Sequence, residues 1–166
     1  MKTAFIIIDV QNILVETGFE TEKILEKIAY LQDQARKQQI EIIYMQHIET
    51  PEALTSEDWQ LSPLLKRQEN EKVFQKRYNS IFKETGLKEY LDQQGIEQLV
   101  LCGMQTEYCV DTSVKVGFEY GYKLIIPEGV VTTFDGEDIP AETLNEFYEN
   151  IWAERFADVL DYKSIF

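Results

Sequence analysis

A continuous run of apolar residues near the start of the chain, Ala4 to Ile8, constrains the fold more than any other feature of the sequence. A strand of β-branched and aromatic residues without polar alternation is typical of a parallel sheet that is covered on both faces. The run ends at Asp9. We therefore expect a buried strand that delivers a carboxylate at its carboxyl end.

Strand-like and helix-like segments alternate along the rest of the chain. The spacing of Ile24, Ile28, Leu31 and Ala35 predicts a helix over residues 20–38. Further predicted helices cover residues 87–94, 107–120 and 141–155. Predicted strands after the first cover residues 40–45, 72–75, 98–102, 122–126 and 157–160. This order predicts an α/β fold, a three-layer, doubly wound and mostly parallel sheet of six strands with right-handed crossovers and helices on both faces.

The length and charge of the chain restrict its class. With 166 residues it fits a single domain, residues 1–166. Its 30 acidic and 16 basic residues give a net charge of −14, which repels nucleic-acid backbones and anionic membrane surfaces. The pairs Lys66–Arg67 and Lys76–Arg77 are short and flanked by acids. We therefore expect a small-molecule substrate and neither a nucleic-acid nor a membrane partner.

Two cysteines, Cys102 and Cys109, lie seven positions apart and are predicted on different elements. They give neither a disulfide framework nor the ligand spacing of a zinc site. Cys102 lies within an apolar strand and is expected to be inert. The apolar run at the start of the chain is too short for a signal peptide or a membrane span. These features predict a reducing, cytoplasmic location.

Open parallel sheets bind ligands beyond the carboxyl ends of their strands. Asp9 follows the first predicted strand, Lys76 the third, and the turn 103–109 the fourth. We predict Thr106 as a helix N-cap, which places Cys109 in the first helical turn. Free amides and the helix dipole there would lower the pKa of the thiol and could hold an oxyanion. The alternative is that Cys109 is a buried, inert cysteine.

Asp9 and Lys76 have chemical roles available at that edge of the sheet. Burial would raise the pKa of Asp9, and a neighbouring ammonium would lower it. A carboxylate in this position can accept a thiol proton and later return it to a leaving group. Lys76 beside a thiol and a carboxylate would favour the anionic form of both. The alternatives are a carboxylate that caps a loop and an ordinary surface lysine.

His47 is the only histidine of the chain and follows the second predicted strand. A Cys–His arrangement would have to use it, whereas one histidine cannot build a typical catalytic zinc site. Contact with a substrate and a structural role are both open for it. Aromatic side chains that could line a pocket, or equally pack in the core, are Phe19, Tyr44, Trp59, Tyr78, Phe82 and Tyr108. Aromatic residues that could form a subunit interface are Phe147, Tyr148, Trp152 and Phe156.

Three segments together resemble the isochorismatase-like cysteine hydrolase superfamily. They occur in the order found in that family and span nearly the whole chain: AFIIIDVQN at 4–12, FQKRYNSIF at 74–82 and VLCGMQTEYCVDT at 100–112. The resemblance implies a parallel sheet of six strands, which matches the alternation of strands and helices. It also implies a homodimer or a homotetramer.

The resemblance assigns the roles of a catalytic triad to Asp9, Lys76 and Cys109. It places a non-proline cis peptide at Met104–Gln105, which would aim the backbone amides near Gln105 and Cys109 at an oxyanion. Substrate contacts are expected from Gln11, His47, Phe82 and Tyr108.

The activity implied by the resemblance is hydrolysis of a small amide through a thioester on Cys109, without a metal or another cofactor. Nicotinamidases of the family carry a metal-binding cluster of Asp and His after the second strand, and residues 45–49 (MQHIE) lack it. Isochorismatases proper cleave a vinyl ether and need no cysteine nucleophile. Ile81 replaces a small residue of the family and is expected to narrow the pocket. The alternatives are a catalytically silent binding or regulatory protein and a redox-sensing thiol on the same scaffold.

Overall fold

The computed structural model describes residues 1–166, which form seven strands and five α-helices. The strands are β1 (Thr3–Ile8), β2 (Glu41–His47), β3 (Lys72–Lys76), β4 (Gln98–Met104), β5 (Lys123–Pro127), β6 (Val131–Thr132) and β7 (Asp158–Leu160). The α-helices are α1 (Asn12–Thr17), α2 (Thr21–Lys37), α3 (Leu87–Gln93), α4 (Asp111–Glu119) and α5 (Ala141–Trp152). A π-helical turn occupies Thr106–Val110, and 3₁₀ turns occupy Pro51–Leu54, Glu57–Trp59, Pro63–Leu65 and Tyr162–Ser164.

All seven strands belong to one parallel sheet. Six of them form the order β3-β2-β1-β4-β5-β7, so the predicted α/β class and parallel sheet are confirmed. The additional strand, β6, pairs with the end of β4. It is two residues long, which is too short for an apolar pattern to reveal it in the sequence.

The strand order reverses beside β1. The chain runs outward from β1 through β2 to β3 and then places β4 on the other side of β1. A crevice opens at such a reversal, beyond the carboxyl ends of the strands. Ile8 pairs with both Met45 and Gly103, which brings the ends of β1, β2 and β4 level. The pairing of His47 with Lys76 adds the end of β3 to the same edge.

The apolar run of β1 packs on both faces of the sheet, as its sequence predicts. Residues Ala4 to Ile8 have no exposed surface. Ile6 and Ile8 belong to the core under α3, α4 and α5, whereas Phe5 and Ile7 belong to the core under α2. The sheet is therefore the middle of three layers. None of the helices is long and apolar enough to cross a membrane.

The structure corrects the predicted ends of two helices. A π-helical turn precedes α4, so residues 107–120 are not one α-helix, and α5 ends at Trp152. Trp152 is fully buried, and its indole Nε1 donates a hydrogen bond to Asp111 Oδ1 at 2.9 Å. Trp152 is therefore a core residue and not part of a subunit interface. Phe147 is 59% exposed, and the homodimer or homotetramer stays a prediction.

Gly103 lies in β4, directly against β1. Its φ is 121°, and an added Cβ would lie 2.1 Å from the carbonyl oxygen of Ile8. We expect Gly103→Ala to lower the free energy of unfolding by at least ~3 kcal/mol, because backbone strain and a clash with a neighbouring strand both oppose it. Gly95→Ala is the matched control, since Gly95 has a φ of 66° but open space around an added Cβ. It should cost only ~1 kcal/mol. Urea denaturation monitored by circular dichroism measures both, and equal losses would contradict the assigned clash.

Candidate active site

The four strand ends at the reversal of the sheet carry four chemically active side chains. Asp9 follows β1, His47 ends β2 and Lys76 ends β3. Cys109 lies in the π-helical turn that follows β4. The structure thus brings together the three residues predicted as a triad and adds His47 to them.

The Lys76 ammonium lies at the centre of this group and is 1% exposed. Its Nζ lies 2.9 Å from Asp9 Oδ2 and 3.1 Å from Cys109 Sγ. It also lies 3.1 Å from His47 Nδ1 and 2.9 Å from the carbonyl oxygen of Tyr78. A buried ammonium needs such partners, because an unpaired buried charge is strongly unfavourable. Lys76 is therefore not the surface lysine that its residue type alone allowed.

The two carboxylate oxygens of Asp9 have different surroundings. Its backbone has a φ of 52°, and the residue is 2% exposed. Oδ2 accepts from Lys76, whereas Oδ1 is the one buried side-chain nitrogen or oxygen atom of the protein that lacks a hydrogen-bond partner. Burial raises the pKa of Asp9, and the Lys76 ammonium opposes that rise. An unpartnered oxygen next to a nucleophile is suited to accept a proton.

The electrostatics of Cys109 differ from the prediction. Burial and the Asp9 carboxylate raise the pKa of the Cys109 thiol to about 12, although the Lys76 ammonium opposes them. The expected lowering of this pKa was wrong, because loss of solvent and a nearby negative charge outweigh the Lys76 ammonium. The thiol is therefore protonated at neutral pH. A thiolate forms there when the proton moves to an acceptor, and an Asp9 oxygen lies within 4.8 Å of the sulfur.

The turn between β4 and α4 contains a cis peptide at Met104–Gln105, at the predicted position. The Gln105 amide donates to no acceptor of the protein, and the Gln105 carbonyl oxygen accepts from the amides of Tyr108 and Val110. A free amide beside Cys109 is a suitable oxyanion donor. The Met104 side chain is 1% exposed, so Met104 offers the site only its backbone.

Hydrogen bonds that the sequence did not predict hold this turn in place. The Thr106 hydroxyl donates to Asn145 Oδ1 at 2.6 Å, so Thr106 ties the turn to α5 and is not the predicted N-cap. The Thr133 hydroxyl lies 3.2 Å from Gln105 Oε1 and also contacts the Glu107 carboxylate. No motif around Thr133 in the sequence predicts this contact.

A cavity of about 200 Å³ opens above the sulfur of Cys109. Its lining residues are Asp9, Leu14, His47, Glu49, Trp59, Asn79, Gln105, Tyr108 and Cys109. His47, Tyr108 and Trp59 thus lie where contact with a substrate is possible. The other aromatic candidates lie elsewhere: Phe19 and Tyr78 line separate cavities, and Tyr44 is fully buried.

Two residues predicted to contact the substrate do not face the cavity. Gln11 has no exposed surface, and its Nε2 donates to the carbonyl oxygens of His47 and Trp59 at 3.0 and 2.7 Å. Its Oε1 accepts from the His47 amide at 2.9 Å, so all of its side chain is used to position the cavity wall. Phe82 stacks on Tyr122 in the core, with 6.0 Å between ring centroids. Ile81 is likewise buried in the core and does not narrow the cavity.

His47 is held as a neutral imidazole with a defined tautomer. Burial and the Lys76 ammonium lower the pKa of His47. An ammonium can only donate, so the contact with Lys76 favours the tautomer in which Nδ1 accepts and Nε2 carries the ring proton. Nε2 has no protein partner and is not buried. It therefore faces the cavity as a hydrogen-bond donor.

A sequence model described as the isochorismatase domain matches residues 3–163. The chain belongs to the isochorismatase family. The resemblance predicted from three short segments is therefore confirmed, and the protein is a hydrolase by family. A solved isochorismatase from Pseudomonas putida KT2440 superposes with a TM-score of 0.92 at 30% identity, covering 99% of this chain and 90% of that one.

Two curated relatives of this isochorismatase-family chain differ in length. The uncharacterized isochorismatase family protein YddQ of Bacillus subtilis (strain 168) is 29% identical over 155 residues, which cover 86% of each chain. The streptothricin hydrolase of Streptomyces noursei is 28% identical over 144 residues, which cover 83% of this chain and 51% of that protein. The match therefore spans about half the length of the streptothricin hydrolase.

The position of Lys76 decides whether this site could hold a metal ion. Asp9, His47 and Cys109 each offer a ligand atom, and these atoms lie within 4.8 Å of one another. The ammonium of Lys76 contacts the same three side chains at 2.9 to 3.1 Å. Its positive charge occupies the centre of the group. Asp9, His47 and Cys109 therefore do not fit a metal ion at this position, because the Lys76 ammonium already contacts all three.

The Asp9 carboxylate and the Lys76 ammonium act on the Cys109 thiol in opposite directions. We expect Asp9→Asn to lower the pKa of that thiol by at least about one unit and so to raise its alkylation rate near neutral pH about tenfold. Lys76→Met should slow alkylation. Iodoacetamide labelling across pH 6 to 10, located by mass spectrometry, measures the effect. Cys109→Ser is the control for labelling at this position. A slower reaction in Asp9→Asn would contradict the assigned electrostatics.

Proposed function

We propose that this isochorismatase-family protein hydrolyses the C–N bond of a small carboxamide through a thioester on Cys109. The observation that carries the proposal is the single buried ammonium of Lys76, which contacts both the Asp9 carboxylate and the Cys109 sulfur. The unpartnered Asp9 Oδ1 and the free Gln105 amide lie at the same site. The relative named streptothricin hydrolase supports a hydrolytic activity.

The first half of the reaction forms the thioester. Asp9 accepts the thiol proton, and the Cys109 sulfur adds to the amide carbonyl carbon, whose π electrons move to oxygen. The Gln105 amide donates to that oxyanion. When the oxyanion collapses, the C–N bond breaks and Asp9 returns the proton to the leaving amine. Lys76 stays charged throughout and balances the negative charge, which moves from carboxylate to sulfur to oxygen.

The second half of the reaction removes the acyl group. Asp9 is again an unprotonated carboxylate and accepts a proton from the attacking water. The hydroxide adds to the thioester carbonyl, the C–S bond breaks, and the proton returns to sulfur. The net change is amide plus water to carboxylic acid plus amine. The Nε2 proton of His47 is placed to orient the substrate at the cavity wall.

The geometry favours this proposal over the two alternatives. A redox-sensing cysteine needs an exposed, low-pKa thiol and usually a resolving partner. Cys109 is 8% exposed with a raised pKa, and Cys102 is fully buried within β4. A silent binding protein has no use for an unpartnered buried carboxylate oxygen, which is unfavourable unless function requires it.

Substitution of the three central residues tests the proposal. We expect Cys109→Ser, Lys76→Met and Asp9→Asn each to lower kcat/KM on small amides about a thousandfold or more. The measurement is amine release from a panel of small amides. Asp9→Asn is the most informative variant, since it should alkylate faster yet fail to protonate the leaving amine. Cys102→Ala is the matched control and should keep its activity. Full turnover by Cys109→Ser would overturn the proposal.

Metal independence is a separate prediction. Because the Lys76 ammonium occupies the centre of the site, we expect turnover to be unchanged after dialysis against a strong chelator. The same amide assay, with and without restored zinc, provides the measurement. Activity that is lost with the chelator and returns with zinc would contradict the assigned role of Lys76.

A further inference from the structure

The cavity above Cys109 is lined by two carboxylates and no cation. Asp9 and Glu49 are its charged lining residues, and neither lysine nor arginine is among them. The ammonium of Lys76 lies behind the wall, where it already contacts four neighbouring groups. His47 adds no positive charge, because burial and Lys76 lower its pKa. An anionic substrate would therefore find no counter-ion here.

Glu49 has the position of a recognition residue. It is exposed, forms no ion pair, and lines both the Cys109 cavity and a neighbouring cavity of about 310 Å³. Two cations line that neighbouring cavity: Arg77, which lies 3.6 Å from Glu84, and Lys76, which is paired with Asp9. A carboxylate without a partner thus stands where the two cavities meet.

Two aromatic side chains complete the wall around the nucleophile. Trp59 is half-buried, and its carbonyl oxygen accepts from Gln11 and Gln46 at 2.7 and 3.0 Å, which fixes its backbone. Tyr108 is 54% exposed although it adjoins Cys109 in the chain. Aromatic faces beside a carboxylate attract organic cations, above all quaternary ammonium groups.

We propose that the substrate is an amide that carries a compact organic cation, an ammonium group held between Glu49 and the rings of Trp59 and Tyr108. This inference rests on the proposed function and names its substrate class. Asp9, whose Oδ1 accepts the thiol proton in the proposed reaction, lines the same cavity. The net charge of −14 adds a field that attracts such cations.

The test compares two amides of equal shape and different charge, one straight chain ending in trimethylammonium and the same chain ending in tert-butyl. Wild-type protein should prefer the cation in kcat/KM. Glu49→Gln should reduce that preference about fivefold, through KM and not kcat, since a partly exposed ion pair contributes little more. Glu49→Lys should reverse the preference. Glu52→Gln is the matched control, because Glu52 is exposed but lines neither cavity.

Binding of the same two amides to Cys109→Ser, measured by calorimetry, tests the substrate class separately from the hydrolytic function. Tighter binding of the cation, weakened by Glu49→Gln, supports the substrate class even if no amide is turned over, in which case the proposed function alone fails. Turnover of both amides with equal kcat/KM, unaffected by Glu49→Gln, overturns the substrate class and leaves the hydrolase intact. Equal binding of the two amides also overturns it.

Discussion

The burial of the Lys76 ammonium is the constraint on which the rest of the site depends. Lys76 is 1% exposed, and a buried charge is tolerated only when hydrogen-bond acceptors or opposite charges surround it. Removal of one partner leaves a buried polar group unpaired, which is strongly unfavourable. Its partners come from the ends of β1 and β2, from the turn after β4 and from the carbonyl oxygen of Tyr78. Correct pairing of four strands is therefore a condition for placing this one charge, and the register of Ile8 and His47 provides it.

Those parts of the molecule that follow general rules could be predicted from the sequence. The apolar run before Asp9 required a strand covered on both faces, and alternating segments required parallel crossovers. In a parallel sheet, polar residues at the carboxyl ends of the strands lie at one edge. Asp9, Lys76 and Cys109 could therefore be predicted at the same edge, because their placement there depends on topology and not on side-chain direction.

The incorrect predictions depend on quantities that the sequence does not carry. Gln11 and Phe82 lie near the site in the chain but point away from the cavity, and the direction of a side chain is decided by tertiary packing. The pKa of Cys109 depends on the balance between desolvation, a carboxylate and an ammonium, and the first two outweigh the third. The two-residue strand β6 and the contacts of Thr133 leave no periodic pattern at all.

A protonated resting thiol changes how the site must be understood. The Asp9 carboxylate raises the pKa of the Cys109 thiol, whereas the hydrogen bond from that thiol lowers the pKa of Asp9, and Lys76 stabilises the anion of either group. The two groups therefore titrate as a coupled pair that shares the thiol proton. Transfer of that proton from sulfur to Asp9 Oδ1 leaves the total charge of the site unchanged, so the buried ammonium keeps one anionic neighbour in both forms. Formation of a thiolate on Cys109 therefore leaves no uncompensated charge inside the site.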